Sequence, residues 1–403
     1  MDRRKKWKIV LLSASGLCTL YAGFYFFIDF SSRTALEKSY ARLRAAGLAV
    51  TAEEFRSKFP RVKREENALS SMVKVNSLPR TSRTITFSTP LKKVAIEEPI
   101  LDKHIQLVDE VLSKPKSDFS NFWQFGLQMA SSSDYAGLML SESLLGKAAL
   151  EYSRGRKLSA LRLILKAIKI SQIYLNDPRS ESLKTALYIL RSCMRQLIPI
   201  ASIPLSRDEY QVIEQMRSAL GRPSDFRFYF SQTPIFAQNG FDSMVFDASQ
   251  SQSMEKWRFH LRFALSTPGQ MRLEKARILN EIASYAEIEK EAQPSLEDLR
   301  TEVLKLDNKY TSHDDSEINS VAKEYFTSKF VDIVDMLMLV ETIRNVFDAA
   351  LGRKMEKDFF SGNLLKKRVV GQIEYIYSIG VDRVDDGGSS TLDITLPKFK
   401  TRE

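Results

Sequence analysis

The sequence predicts a mainly α-helical protein: an N-terminal transmembrane helix, an irregular multi-helix domain of antiparallel helix pairs, and a small C-terminal β-hairpin element. Three observations predict it. Residues Ile9 to Ile28 carry no charge, helical spacing of apolar residues dominates after Leu101, and period-two alternation appears near the C-terminus.

The first element is the anchor. Ile9 to Ile28 is a twenty-residue apolar stretch. At about 1.5 Å per residue it reaches roughly 30 Å, the thickness of a bilayer's hydrocarbon core. Arg3, Arg4, Lys5, Lys6 and Lys8 precede it, with Asp2 opposing, and this basic flank holds the N-terminus in the cytoplasm. Trp7 and the group Tyr21, Phe24, Tyr25, Phe26 and Phe27 suit the two interfacial aromatic belts. A cleavable signal is the rival reading. Ala14-Ser15-Gly16 would leave too short an apolar region before it, and Leu17 stands where a lipobox needs a small residue before Cys18. The expected location is therefore a bacterial inner membrane, crossed once, with the bulk of the chain periplasmic.

The net charge of +10 does not describe a nucleic-acid-binding face. Residues 1 to 100 hold 19 Lys+Arg against 9 Asp+Glu, which accounts for all of it, and the remainder is neutral. Basicity close to the anchor fits anionic headgroups.

After the anchor (1–30), residues 31–69 read as a juxtamembrane helical segment. A helix from Ser32 to Ala46 ends at Gly47, and a second starts at Thr51, where Thr51 and Glu54 have capping-box spacing. Residues 70–100, rich in Ser, Thr, Pro and basic side chains, read as an extended linker with short β-like runs such as Thr84 to Phe87. Residues 101–355 read as the helical domain, broken at Pro115, Pro178, Pro199, Pro204, Pro223, Pro234, Pro268 and Pro294.

The clearest antiparallel pair is Ser141 to Tyr152 with Leu158 to Leu175, joined at Gly155. Helices over Glu181 to Leu197 and Ser206 to Leu220 extend the stack, and others are expected over Met254 to Leu265, Gln270 to Glu291, Ser295 to Leu306 and Glu317 to Leu351. Gly155 to Ala167 resembles one unit of a tetratricopeptide-type repeat, but no second copy follows at a period near 34 residues. Cys193 falls beside the apolar face of Leu187, Leu190, Met194 and Leu197 and reads as a core residue. The aromatic run from Asp225 to Asp242 reads as a crossover whose rings plug the core; a binding edge or lid is the alternative.

No catalytic constellation appears. His104, His260 and His313 are far apart, and HExxH, GxSxG, P-loop and CxxC patterns are absent. His313-Asp314-Asp315 reads as a helix N-terminus rather than a metal site.

The last segment, 356–403, reads as a β element with an acidic loop. Ile373, Tyr375 and Tyr377 alternate as one strand and Leu392 to Leu396 form another. Between them Asp382, Asp385, Asp386 and Asp393 crowd together beside Gly387 and Gly388. Such a cluster repels itself unless a hard cation such as calcium gathers it, or unless it is simply a solvated turn.

Tyr377, Ser378, Gly380, Asp382, then Asp385, Asp386, Gly387, Gly388 and Asp393-Ile394 form a pattern that resembles the C-terminal module of type II secretion major pseudopilins. It also resembles the end of a group of membrane-anchored uncharacterised bacterial proteins. Asp358-Phe359-Phe360-Ser361-Gly362 is similar to a turn of the same module, with Phe359 in place of proline. The resemblance implies calcium on the four aspartates. The chain lacks the Gly-Phe-Thr-Leu-x-Glu start of a processed prepilin, which argues against assembly into a pseudopilus. The anchored group is also similar at Leu43 to Gly47, Thr51 to Phe55 and Glu65 to Ala68. The expected function is a structural or scaffolding protein that binds a protein partner in the cell envelope. Alternatives are an envelope hydrolase using carboxylates brought together by the fold, or a component associated with a secretion apparatus.

Overall fold

A computed structural model of the chain describes residues 3–59, 62–79, 91–114, 132–235, 268–292, 295–311 and 328–402, apart from a few positions within these runs; the side chains of residues 3–14 and 18 also fall outside the description. The described residues are mainly helical, with a three-stranded antiparallel sheet at the C-terminus. They divide into two compact units. The first comprises residues 1–57, 232–293 and 305–328, the second residues 58–231, 294–304 and 329–403.

In the first unit the expected anchor and juxtamembrane helix form one continuous helix, α1 (Arg3–Ala45). It ends at Gly47, whose φ of +82° suits glycine, and Gly47 N–H donates to Arg44 O. Helix α2 (Ala52–Lys58) starts as the capping pattern predicts, with Thr51 Oγ1 accepting from Glu54 N–H at 3.1 Å. The Glu54 carboxylate turns back to Val50 N–H and to Arg44.

From Ile28 onward α1 is covered by α10 (Pro268–Ala292), which runs parallel to it. Gly269 lies against Ile28, and a Cβ there would stand 2.5 Å from Ile28 Cγ2. Asp29 pairs with Arg272, Ser39 Oγ donates to Ala276 O at 2.9 Å, and Arg42 reaches Glu287, Ser284 and Asn280 O. Upstream of this contact Leu20, Phe24, Phe26 and Phe27 are exposed, from 62% to 74%. Among the described residues no helix is long and apolar enough to cross a membrane. The side chains of Ile9 to Ala14, the first part of the predicted anchor, lie outside them.

In the second unit the expected extended stretch 70–100 contains helical turns instead. Helix α3 (Ala68–Met72) begins where Asn67 Oδ1 accepts from Leu69 N–H at 3.0 Å, and a 3₁₀ turn (Val73–Ser77) continues it. Leu69, Met72 and Val75 are buried, so apolar spacing outweighs the polar composition. Helices α4 (Leu91–Ile96) and α5 (Glu98–Leu112) follow. Residues 80–90, with the β-like Thr84 to Phe87, lie outside the description.

The predicted helix pair is α6 (Ser132–Ser153) and α7 (Lys157–Leu175), joined at Gly155 with φ +76°. Helix α7 is central: Leu161, Ile164, Ala167, Ile168 and Tyr174 are buried, against α6, α8 (Ser180–Ala201) and α9 (Arg207–Ala219). Pro199, expected to end a helix, lies inside α8. The helix runs on to Ser202, whose Oγ donates to Ile198 O, and Pro199 O accepts from the Tyr152 hydroxyl at 3.0 Å. Ser206 and Glu209 form a reciprocal capping box at the start of α9.

Tyr229, the fully described core aromatic of the 225–242 run, is buried; its hydroxyl donates to Leu175 O at 2.8 Å. This supports the core-plugging reading for that residue. Helix α11 (Leu296–Thr311) and helix α12 (Ser328–Ala350) lie at expected positions; residues 312–327, with His313 and the start of the helix expected from Glu317, and 236–267, with His260 and the expected helix Met254 to Leu265, lie outside the description.

The C-terminal element is a three-stranded meander rather than a hairpin: β1 (Lys366–Val370), β2 (Ile373–Ser378) and β3 (Ile394–Pro397), in the order β1-β2-β3. Strand β1 is an exposed edge whose Lys-Lys-Arg-Val-Val sequence lacks alternation, so period two could not reveal it. Strand β3 is buried throughout and packs on α8. Beyond it, Phe399 N–H donates to Ala350 O, and Leu205 pairs with Thr401.

Candidate functional site

The two halves of the C-terminal pattern meet. Asp358 is fully buried. Its carboxylate accepts from Ser378 Oγ at 2.7 Å, from Phe360 N–H at 3.1 Å and from Ile379 N–H at 3.3 Å. Its backbone closes the turn, with Gly362 N–H donating to Asp358 O and Asp358 N–H to Asn363 O. The turn over 358–363 is thereby fastened to the end of β2, where the acidic loop begins.

The four predicted aspartates have different partners. Asp382 Oδ1 accepts from Val384 N–H at 3.3 Å. Asp385 pairs with Lys366 of β1 and also accepts from Gly387 N–H and the Tyr377 hydroxyl, each at 3.2 Å. These contacts, Lys366 foremost, hold its carboxyl below the usual range. Asp386 and Asp393 are brought side by side. Both Asp393 oxygens are buried, beside the Asp386 side chain and the Gly388 backbone. Burial first, then Asp386, pushes its carboxyl up to about 7. Among the described residues no group of three or more His, Cys, Asp or Glu side chains is gathered to hold a metal ion. Residues 389–392 of the loop lie outside the description.

Gly387 and Gly388 have φ of +74° and +70°, the left-handed region in which glycine costs least. At Gly388 there is no room either: a Cβ would stand 2.8 Å from Tyr377 Cγ. Thr395 Oγ1 donates to Gly388 O at 3.0 Å, pinning the loop's return to β3.

Asp393 lines a cleft of about 390 Å³ between α8, α12 and the sheet. Its floor is apolar, with Met194, Ile198, Ile343 and Ile394. Three guanidinium groups border it: Arg191 and Arg195, one turn apart on α8, and Arg368 on β1. Arg368 lies over the Tyr375 ring at 5.4 Å, and its Nε is buried without a hydrogen-bond partner among the described residues. Burial, followed by the charge of Arg195, disfavours the charged form of Arg191, while Asp382 partly compensates. The sequence reading missed these arginines. The available signal was the like-charged i,i+4 pair on a helix, which is destabilising unless something answers it.

The other singled-out groups are structural. Cys193 is buried and its thiol is pushed up by burial. His104 is buried with Nδ1 2.7 Å from Ser143 Oγ and Nε2 3.1 Å from Pro79 O. Glu142, pushed up to about 7 by burial, accepts from the Tyr188 hydroxyl at 3.2 Å on the α6–α8 face. No family model, no curated protein and no solved structure matches the chain.

Proposed function

We propose that this is a single-pass inner-membrane protein, N-terminus in the cytoplasm, whose helical domain stands on the periplasmic side and scaffolds a protein partner of the cell envelope. The observation that carries the reading is the change in cover along α1. Leu20, Phe24, Phe26 and Phe27 are exposed, and α10 begins to cover the helix at Ile28 and Asp29. Exposed aromatic and aliphatic side chains on one helix, ending at a level marked by Asp29, Arg33 and Arg272, have the character of a membrane-inserted segment meeting a polar boundary. Alkaline carbonate extraction of membranes tests it. The full chain stays in the pellet, and a chain with Leu20, Phe24 and Phe27 changed to Asp is released; release of the unaltered chain overturns the anchor.

A second reading, an envelope hydrolase, is favoured by Asp386 and Asp393 at the cleft, a carboxylate pair in which one member holds its proton near neutrality. The calcium reading makes the opposite demand on the same pair, because an ion needs both carboxylates ionised. Two of the four aspartates suit it, whereas Asp385 is committed to Lys366. Melting in excess calcium and in chelator separates the readings. Calcium at about 100 times its dissociation constant adds roughly 2.7 kcal/mol, lost in an Asp386→Ala, Asp393→Ala variant. No shift, together with ester or glycoside hydrolysis abolished by Asp393→Asn, supports the hydrolase.

A further inference from the structure

We infer that the cleft bordered by Arg191, Arg195 and Arg368 binds a small dianionic molecule, carrying a phosphate or a pair of carboxylates on a compact apolar body. The inference concerns the second unit alone and does not depend on the anchor.

Three arginines line one cleft of about 390 Å³, a volume suited to a small ligand. Two come from successive turns of one helix and the third from a strand, so the chain returns from nearly two hundred residues away to complete the set. Bringing like charges together costs free energy. Arg191 bears part of that cost, since burial and Arg195 both oppose its charge. An anion held by all three adds to the compensation that Asp382 gives Arg191.

Guanidinium groups also present paired N–H donors that fit phosphate and carboxylate oxygens two at a time. Arg368 is oriented in advance by the Tyr375 ring beneath it, with its buried Nε lacking a hydrogen-bond partner among the described residues. Asp382 offsets the arginines only in part, through Arg191, and Asp393 beside them, its carboxyl pushed up to about 7, carries little opposing charge. The arrangement therefore favours a ligand with two negative charges over one with a single charge. Below the charged rim, Met194, Ile198, Ile343 and Ile394 provide an apolar floor, which a bare inorganic anion leaves uncovered.

The test is the melting temperature of the full chain in neutral detergent, in calcium-free buffer, titrated separately with inorganic phosphate, phenyl phosphate and malonate, against sodium chloride at matched ionic strength. Phosphate or malonate raises the melting temperature saturably and chloride does not; phenyl phosphate acts at lower concentration than phosphate. Arg191→Gln and Arg368→Gln each weaken the effect by about tenfold or more, as loss of a charge-assisted hydrogen bond requires. Arg162→Gln, on an exposed face of α7, leaves it unchanged. Should Arg191→Gln not fold, Arg191→Lys keeps the charge, loses the planar fork and still weakens binding. No saturable shift, or a shift equal in all variants, overturns the inference. A preference for phosphate over malonate names a phosphoryl ligand, and the reverse a dicarboxylate.

Discussion

Asp358 Oδ1 accepts a 2.7 Å hydrogen bond from Ser378 Oγ across twenty residues of chain, and both residues are fully buried. Asp358 also takes Phe360 N–H and Ile379 N–H. Changing Asp358 to Ala leaves three buried donors without an acceptor and destabilises the second unit by about 2–4 kcal/mol. Ser378→Ala removes one partner of the same carboxylate and costs about 1 kcal/mol. Urea denaturation followed by tyrosine fluorescence reads both; a loss for Asp358→Ala no larger than that for Ser378→Ala removes the carboxylate from its central place.

Gly388 combines a positive φ with a Tyr377 ring in van der Waals contact. Gly388→Ala strains the backbone and forces the ring aside, costing about 1–3 kcal/mol. Gly352 has a similar φ of +76° and open space around it, so Gly352→Ala costs only about 1 kcal/mol. Equal losses at the two positions sink the packing argument.

His104 and Glu98 each contribute a step that lowers stability as pH falls, against a rise from Glu142 and Asp393, whose carboxyls are pushed up to about 7. Burial holds His104 below its ordinary value of 6.5, with the Pro79 carbonyl opposing. As pH drops below 6.5 the unfolded chain takes up a proton at His104 that the native chain resists, so this residue's contribution declines from there. Glu98 is held at about 2, through Arg154 first and Lys147 second. Its contribution is present above 4.5 and is lost as pH falls toward 2. Urea midpoints of the unaltered chain and His104→Asn, taken from pH 8 to pH 3, check the signs: the variant loses the upper step and keeps the lower.

Arg42 fastens α1 to α10 through Glu287, Ser284 and Asn280 O. Its side chain is 38% exposed, so solvent discounts the ion pair, and Arg42→Ala costs about 1–2 kcal/mol. Hydrogen exchange resolves the location: faster exchange in α10 with α7 unchanged is the expected pattern, and uniform acceleration rejects it.

Local signals with local causes were legible. Gly47 and Gly155 at helix ends and Thr51 with Glu54 act through partners within five residues, and the structure bears them out. The buried face of α7 follows from its spacing alone. What escaped depends on distant neighbours. Pro199 is accommodated because α8 is packed along its length, strand β1 exists because β2 offers it an edge, and the turns of residues 68–77 are held by a core that composition does not reveal. The site divides the same way. The aspartates stood out by crowding, but Lys366 drawing Asp385 away from Asp386 and Asp393 is a register effect: Lys366 faces Tyr377 across the ladder. The arginines of the cleft come from segments 173 or more residues apart, and no window of sequence contains them.

The pairing of α1 with α10 sets an order of events. Ser39 waits for Ala276, 237 residues later in synthesis, before its hydroxyl has that carbonyl to donate to. A chain emerging N-terminus first therefore exposes the covered face of α1 for most of its elongation, while the helices between Ala68 and Ala219 already have their neighbours. The first unit cannot close until α10 has been made, through contacts such as that of Ser39 with Ala276, 237 residues apart, and such closure is slow. During that interval the bare face of α1 is the part of the molecule most in need of a chaperone.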